Sequence, residues 1–434
     1  MSPELVIAIT FVILFGLIAF RCPIFASLGI AGVVGILLIR GVIGLTQVPL
    51  SIMSQLNNPV LVAAPLYIIM GETIFQTGIG RDLYDTLHKW FYRLPGGLAV
   101  ASVFACAVFG AMCGVSIIGV AVIGVMALPE MIRRGYDKKL ASGSITAAGA
   151  LAMLIPPSLV FILYGAISGV NVGKLFVGGI VPGVFLAIVM AGYIIIRVIK
   201  NPALAPRDEE RITWREKFSS LKKLWTVLVL IAAVMVSIYT GICTPTEAGA
   251  IGAAAALLIG AFVYRSLDRE ALKKIFGNTA RTVGAVILIA ACAFAFGQFL
   301  VYTRVPDRLA EFSVSLGLSP FLVIIFFMAV LVFMGMFIDG ASMVFITTPI
   351  FLPTVITLGY DPLWFGIILV MNLEMAVITP PVGLNLYAMK SITEDVTMEE
   401  ILSGTLPYVA LEFAALTLFV VFPELALWLP GLMD

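Results

Sequence analysis

The segments Leu154-Ile155-Pro156-Pro157-Ser158 and Ile378-Thr379-Pro380-Pro381-Val382-Gly383 decide how this chain is read. Each sits inside an apolar run, 139–168 and 362–391, long enough for one membrane-spanning helix of about 20 residues. A proline removes an amide hydrogen, clashes with the carbonyl four residues back and pushes its predecessor out of helical geometry. Two in succession break the span in mid-membrane, so that helix ends meet inside the bilayer. Carbonyls freed near Ala152, Met153, Ala376 and Val377, with the hydroxyls of Ser158 and Thr379, are hard oxygen donors suited to an alkali cation. A packing kink is the simpler alternative; it explains a single proline better than two related pairs.

Working outward, the whole chain has the composition such spans require. Of its 434 residues 61% are apolar and 12% charged, with a mean hydropathy of +1.11; soluble domains carry about 25% charged residues. This excludes a soluble globular protein and predicts ten or more spans. The 40 glycines and 23 prolines are tolerated in membrane helices whose neighbours satisfy freed backbone groups. A net charge of +1 gives no field for nucleic acid. Cys22, Cys106, Cys113, Cys243 and Cys292 show no CxxC spacing and read as buried thiols. His88 has no ligand-spaced companion and HExxH is absent, so no transition-metal site is expected. Gly173-Lys174 is followed by Leu175, not by the Ser or Thr of a phosphate loop, which argues against an ATP-driven pump. Residues 3–20 lack a basic start and a cleavage site and read as the first span.

The chain also repeats itself. Leu128-Pro129, Gly135-Tyr136-Asp137 and Pro156-Pro157 recur 224 residues later as Leu352-Pro353, Gly359-Tyr360-Asp361 and Pro380-Pro381, and Gly179 and Pro182 recur one residue further on as Gly404 and Pro407. The long apolar runs at about 95–134 and 319–358 each read as a hairpin returning to its own side or as two spans. Basic residues mark the cytoplasmic side. With both runs re-entrant, all of the 26 lysines and arginines fall there except Arg40, Lys174, Arg304 and Arg308. The expectation is an all-α polytopic membrane protein of two inverted-topology repeats, 1–200 and 224–434. Each repeat holds five spans, one re-entrant helical hairpin and a span broken at the midplane, about 138–168 and 361–391, and both termini are periplasmic. The linker 201–223 places Trp214, Phe218 and Leu221 on one face, as a helix lying in the membrane interface would. Residues 80–94 and 304–316 are matched amphipathic segments, either arms between a scaffold and a mobile core or plain surface helices.

Inverted repeats with interrupted helices mark secondary transporters, whose sites lie at the breaks. Gly114 to Ser116, and Gly335 with Asp339, read as hairpin tips that meet the breaks. The expected sodium ligands are Gly114, Ser116, Pro156 and Ser158 in the first half and Gly335, Asp339, Thr379, Pro380 and Gly383 in the second. Half-helix N-termini there would favour an anionic substrate; Ser158, Asn385, Asn372, Glu374 and Arg304 are the candidate contacts, with a solvated loop the alternative for Arg304. Among other intramembrane acids, Glu72 and Glu412 read as structural, and Glu247 is noted without a role.

On Gly135-Tyr136-Asp137, Ile155-Pro156-Pro157-Ser158, Thr244-Pro245-Thr246-Glu247-Ala248, Gly335 with Phe337-Ile338-Asp339, and Asn372 through Asn385, the chain resembles the large membrane subunit of tripartite ATP-independent periplasmic (TRAP) transporters over nearly its full length. The resemblance implies an elevator-type fold of the ion-transporter superfamily in a bacterial inner membrane. It also implies sodium-coupled import of an organic acid such as a C4-dicarboxylate, sialic acid or sugar acid. Two partners are implied: a small four-span membrane subunit, here expected as a separate chain, and a periplasmic substrate-binding protein. The first hairpin tip departs from the family's Gly-Ser-Ser followed by Ala-Asp or Ala-Thr, carrying Val115 and Gly119 instead, which shifts expected ion coordination toward backbone carbonyls. Competing readings are a stand-alone sodium or proton symporter of the same architecture, an ion channel, which suits the paired breaks less well, and an intramembrane aspartyl protease. The protease would need Asp137 and Asp361 at one site, whereas the threading puts them at opposite faces.

Overall fold

Gly-Tyr-Asp marks the same junction in both halves. In a computed structural model describing residues 2–20, 22–206, 212–305, 308, 311 and 319–433, Gly135 (φ +80°) and Gly359 (φ +84°) take the left-handed conformation just past a helix end. The amides of Gly135 and Tyr136 reach back to the carbonyls of Ile132 and Met131, both at 3.0 Å, and those of Gly359 and Tyr360 to Ile356 and Val355 at 3.0 and 3.1 Å. This is the glycine stop that satisfies a helix's last carbonyls. The aspartate then caps the next helix: Asp137 accepts from Leu140 N at 2.9 Å and Asp361 from Leu363 N at 2.7 Å. Both aspartates are helix starts, which removes the basis of the protease reading.

On the N-terminal side of each junction is a pair of packed helices, Gly97–Cys113 with Ser116–Arg133 and Pro320–Gly335 with Gly340–Thr357. On the C-terminal side is a divided helix, Lys138–Ala150 then Leu159–Ser168, and Pro362–Ala376 then Leu384–Ile392. Both proline pairs lie in the divisions, and both Pro-Pro bonds are cis. A long helix closes each half, Val172–Lys200 and Met398–Val421.

Among the described residues nine helices are long and apolar enough to cross a membrane. Two of them, Ser116–Arg133 and Gly340–Thr357, are second arms of the helix pairs. The divided helices are missing from the nine because each is two short pieces, and Pro3–Ala19, capped by Ser2, has 17 residues. The difference from ten or more spans is thus one of interruption. Cys106 and Cys113 are buried; Cys22, Cys243 and Cys292 are only partly so.

The elements sort into two groups. In one, Ile24–Leu45 packs along Arg269–Thr303, and Ala63–Gln76 along Pro245–Leu258. Gly32 and Gly35 allow that approach: a Cβ on Gly32 would lie 2.7 Å from Phe296 N, and on Gly35 2.5 Å from the Phe299 ring. In the other group, the helix pairs, the divided helices and the two closing helices interlock across the halves. Ser116–Arg133 packs on Leu384–Ile392, and Gly340–Thr357 on Leu159–Ser168. Lys138–Ala150 crosses Met398–Val421 so closely that a Cβ on Gly143 would overlap the Gly404 backbone, and one on Gly404 the Lys139 carbonyl. Small residues at a crossing let backbones touch where burying apolar surface gives little drive.

The linker helix Trp214–Leu221 opens with a Thr213–Glu216 capping box. Its buried Lys217 Nζ lies 5.7, 4.9 and 5.2 Å from the rings of Trp90, Tyr92 and Trp214, a cation among three aromatic faces. Trp214 and Phe218, stacked on each other, are 63% and 58% exposed. Residues 80–94 fall largely in the helix Ile79–Phe91, which packs on the linker and on Gly97–Cys113. Most of 304–316 lies outside the described residues.

Gly404→Ala should lower stability by about 1–3 kcal/mol, the cost of overpacking a tight contact, read as a fall in melting temperature in detergent. Gly277→Ala, with nothing within 4 Å of the new methyl, should not.

Candidate functional site

The two breaks and the two tips come together. Gly114 (φ +64°) turns the first helix pair, and a Cβ there would sit 2.9 Å from both Pro157 O and Leu159 N. The first tip is therefore pressed onto the first break, and only glycine satisfies both the conformation and the space. At the second, Gly383 (φ +60°) donates its amide to Met336 O at 3.3 Å, and a Cβ on Gly335 would lie 2.6 Å from Ala376 Cβ.

Within the breaks, side chains and turns occupy much of what the prolines release. Ser158 caps Leu159–Ser168, accepting from Phe161 N at 3.4 Å while its hydroxyl donates to Met153 O. Thr379 Oγ1 donates to Met375 O at 2.6 Å, Thr379 N to Ala376 O at 3.1 Å, and Asn385 N to Val377 O at 3.1 Å. Three of the four carbonyls expected to be free thus already accept a hydrogen bond, though each keeps a second lone pair. Asp339 caps Gly340–Thr357 through Ser342 N at 3.0 Å and Ser342 Oγ at 2.5 Å.

Asn385 ties the halves together. It accepts the Ser116 hydroxyl at 2.6 Å and donates to Thr146 O at 3.3 Å, all buried. The sequence marks Ser116 and Asn385 separately; that they meet depends on the interlocked packing, which no local pattern records.

Beside these elements lies a cavity of about 250 Å³. Four helix starts line it: Ser116 and Ile117, Leu159 and Val160, Gly340 and Ala341, and Leu384. Its far wall is the middle of Arg269–Thr303, through Thr282, Ala285, Val286 and Ile289. By sequence that helix is only a span; Thr282 is its single polar lining group and the one sequence signal available. Of the proposed substrate contacts, Ser158 and Asn385 stand one residue from lining positions. Asn372 instead donates to Met328 O at 2.9 Å. Glu374 is fully buried away from the cavity lining. Arg304 sits 15 residues beyond Ile289, just past the end of the same helix, about 22 Å at 1.5 Å per residue. Glu72 accepts from Asn278 at 3.1 Å, as a structural role requires. Glu247 is an exposed capping-box residue, accepting from Thr244 N and Oγ1 at 2.8 Å, which gives Thr244-Pro245-Thr246-Glu247 its physical meaning.

A second, larger cavity of about 650 Å³ lies under Ile79–Phe91, with Arg81, His88, Lys89, Arg134, Asp85 and Glu130 of mixed charge around it. Burial raises the Asp85 carboxyl above its ordinary pKa, opposed by Lys223. The breaks do not reach this cavity.

Broken helices, tips folded onto them and a cavity beside an intact helix suit a membrane carrier. Residues 11–425 match the model of a family described as tripartite ATP-independent periplasmic transporter, DctM component. The chain belongs to this family. It is similar to the C4-dicarboxylate TRAP transporter large permease protein DctM of Pseudomonas aeruginosa, with 33% identity covering 93% of this chain and 94% of that one. The sialic acid TRAP transporter large permease protein SiaM of Vibrio cholerae is 27% identical over 87% of each. Among solved structures, the YdaH transporter of Alcanivorax borkumensis shares the fold at a TM-score of 0.63 and 13% identity, covering 89% of this chain and 88% of that one. Like other DctM components, the protein is a multi-pass membrane permease and not an enzyme.

Asn385→Ala leaves the Ser116 hydroxyl and Thr146 carbonyl short of a partner and should cost about 1–3 kcal/mol. In a double-mutant cycle with Ser116→Ala, the coupling read from melting should exceed about 0.5 kcal/mol; additive effects would show that the bond contributes nothing.

Proposed function

We propose that this DctM-family chain is the membrane permease of a three-part carrier that imports an organic acid with sodium across a bacterial inner membrane. The observation that carries the reading is the convergence of four helix N-termini on one cavity that has no lysine or arginine among its lining residues. Each N-terminus carries roughly half a positive charge, and backbone amides so placed bind anions without a basic side chain. On this reading Ser116 and Thr282 contact the substrate. Ser158 and Asn385 hold the wall behind it, while Arg304, Asn372 and Glu374 do not touch it.

Sodium is assigned to the two tip-and-break junctions: Gly114, Ser116, Pro156 and Ser158 at one, and Gly335, Asp339, Thr379, Pro380 and Gly383 at the other. Carbonyl second lone pairs, hydroxyls and one carboxylate are the ligand chemistry an alkali cation takes. The related elements of the two halves are read as inverted repeats with re-entrant helix pairs. The interlocked group is read as a core moving as an elevator past the Arg269–Thr303 wall, since the cavity lies on the boundary between them. C4-dicarboxylate and sialic acid relatives support a carboxylate cargo, but relatives named for ectoine and isethionate leave the substrate to be identified by experiment. The relatives' tripartite names support a small membrane subunit and a periplasmic binding protein as partners; the isethionate relative, named DctMQ, is a longer chain, of which this chain covers 64%.

The test is uptake of labelled C4-dicarboxylates and sialic acid into proteoliposomes, with sodium, small subunit and binding protein each omitted in turn. Uptake should require all of them; uptake by this chain alone would favour a stand-alone symporter. Thr282→Trp, filling the cavity from the intact helix, should reduce uptake at least tenfold, equivalent to about 1.4 kcal/mol, with melting unchanged.

A further inference from the structure

Two acids remain that transport of the organic acid does not use. Glu374, near the end of Pro362–Ala376, is 0% exposed, and Glu412, in the middle of Met398–Val421, is 2% exposed; their helices pack on each other. None of the four carboxyl oxygens has a hydrogen-bond partner, and neither does the hydroxyl of fully buried Tyr408, one turn from Glu412 on the same face. Met375 and Thr379, on the Glu374 side, share one cavity wall with Val409, Ala410 and Phe413 of Met398–Val421, which places Glu374 and Glu412 on adjoining turns.

The surrounding elements bring no cation to them. Pro320–Gly335 and Gly340–Thr357 carry no titratable side chain. Leu159–Ser168 contributes Tyr164, which donates to Pro362 O at 2.6 Å. From Val172–Lys200 come Tyr193, packed edge-on against Tyr408 at 5.2 Å, and Arg197, whose guanidinium donates to Tyr193 Oη at 3.1 Å. Lys138 donates to Asp395 O at 2.5 Å, Lys139 is exposed at the start of its helix, and Lys390 donates to the carbonyls of Thr393 and Val396.

An ionised carboxylate so buried and unpaired is prohibitively costly, and two facing one another more so. Paired carboxyls resolve this by taking up a proton: the protonated group donates to its neighbour, satisfying one donor and one acceptor that nothing else satisfies. We propose that Glu374 and Glu412 form a proton-binding site joining the second divided helix to the last long helix. The proton comes from water and is held by one carboxyl against the other, with no other bond made or broken. The site is separate from the tip-and-break junctions and does not depend on which organic acid is carried.

The test is infrared spectroscopy of the purified full chain in H₂O and D₂O at neutral pH, a readout independent of uptake. The wild type should show a deuterium-sensitive protonated-carboxyl band, diminished in E374Q and in E412Q and lost in the double variant. The double variant, a neutral mimic, should keep the wild-type melting temperature at neutral pH and lose the wild type's fall in melting temperature as pH rises. Should the glutamine variants fail to fold, wild type grown with carboxyl-labelled glutamate must show the isotope shift in the same band. Absence of the band, its persistence in the double variant, or its loss on adding sodium would overturn the proposal, the last in favour of a cation site.

Discussion

A helix interrupted in a membrane must find new partners for the backbone groups it releases, because lipid offers none. Each proline pair creates that demand in the middle of its run, and the rest of the molecule is arranged to meet it. The chain answers partly within the break, where Leu154 and Ile155 turn back to Leu151 O at 3.1 and 2.9 Å, and Ser158 starts the next helix. It answers partly from outside, where Met336 O at the second tip takes the Gly383 amide. A tip folded onto a break both seals it from lipid and delivers further helix starts to the same place. The cavity is thus a by-product of satisfying backbone polarity: four helix N-termini gather there because two interruptions and two reversals were brought together.

Glycine makes this closeness possible. The Gly143–Gly404 crossing and the packing of Gly110 against Ala152 bring backbones into contact within the core. The Gly32 and Gly35 contacts do the same among the surrounding helices. Between the groups both kinds of contact occur: a Cβ on Gly71 would lie 2.9 Å from Cys113 Cβ, whereas one on Gly297 of the wall helix would meet nothing closer than Pro349 Cβ at 4.0 Å.

The sequence carried the punctuation and not the partners. Proline pairs, Gly-Tyr-Asp and the glycines of the tips act on their own few residues, so the breaks, stops and caps could be read directly. Asn385 meeting Ser116, Thr282 facing the tips and Glu374 lying buried away from the cavity all depend on which helix lies beside which. Hydrophobic runs of this uniformity do not encode that. Arg304 shows the same limit: an arginine after a span looks like an anion's partner until the length of the preceding helix removes it from the site. Glu247 shows the reverse, an acid in an apolar neighbourhood whose whole role is local capping.

The charge balance of the cavity bears on how an anion and a cation would be taken together. Four N-termini contribute roughly two positive charges, but Asp339 lines the same space and spends its carboxylate on the Gly340 helix start, cancelling much of one contribution and adding a negative charge toward the cavity. An anion entering alone meets that opposition at low dielectric, where it is felt strongly. A sodium ion at the adjoining junction removes it, since the same carboxylate and the neighbouring carbonyls are its ligands on the proposed reading. Each charge then improves binding of the other by the same free energy, as linkage requires. Coupling would thus arise from one aspartate placed between a cation junction and four helix starts, with no dedicated basic residue for the substrate.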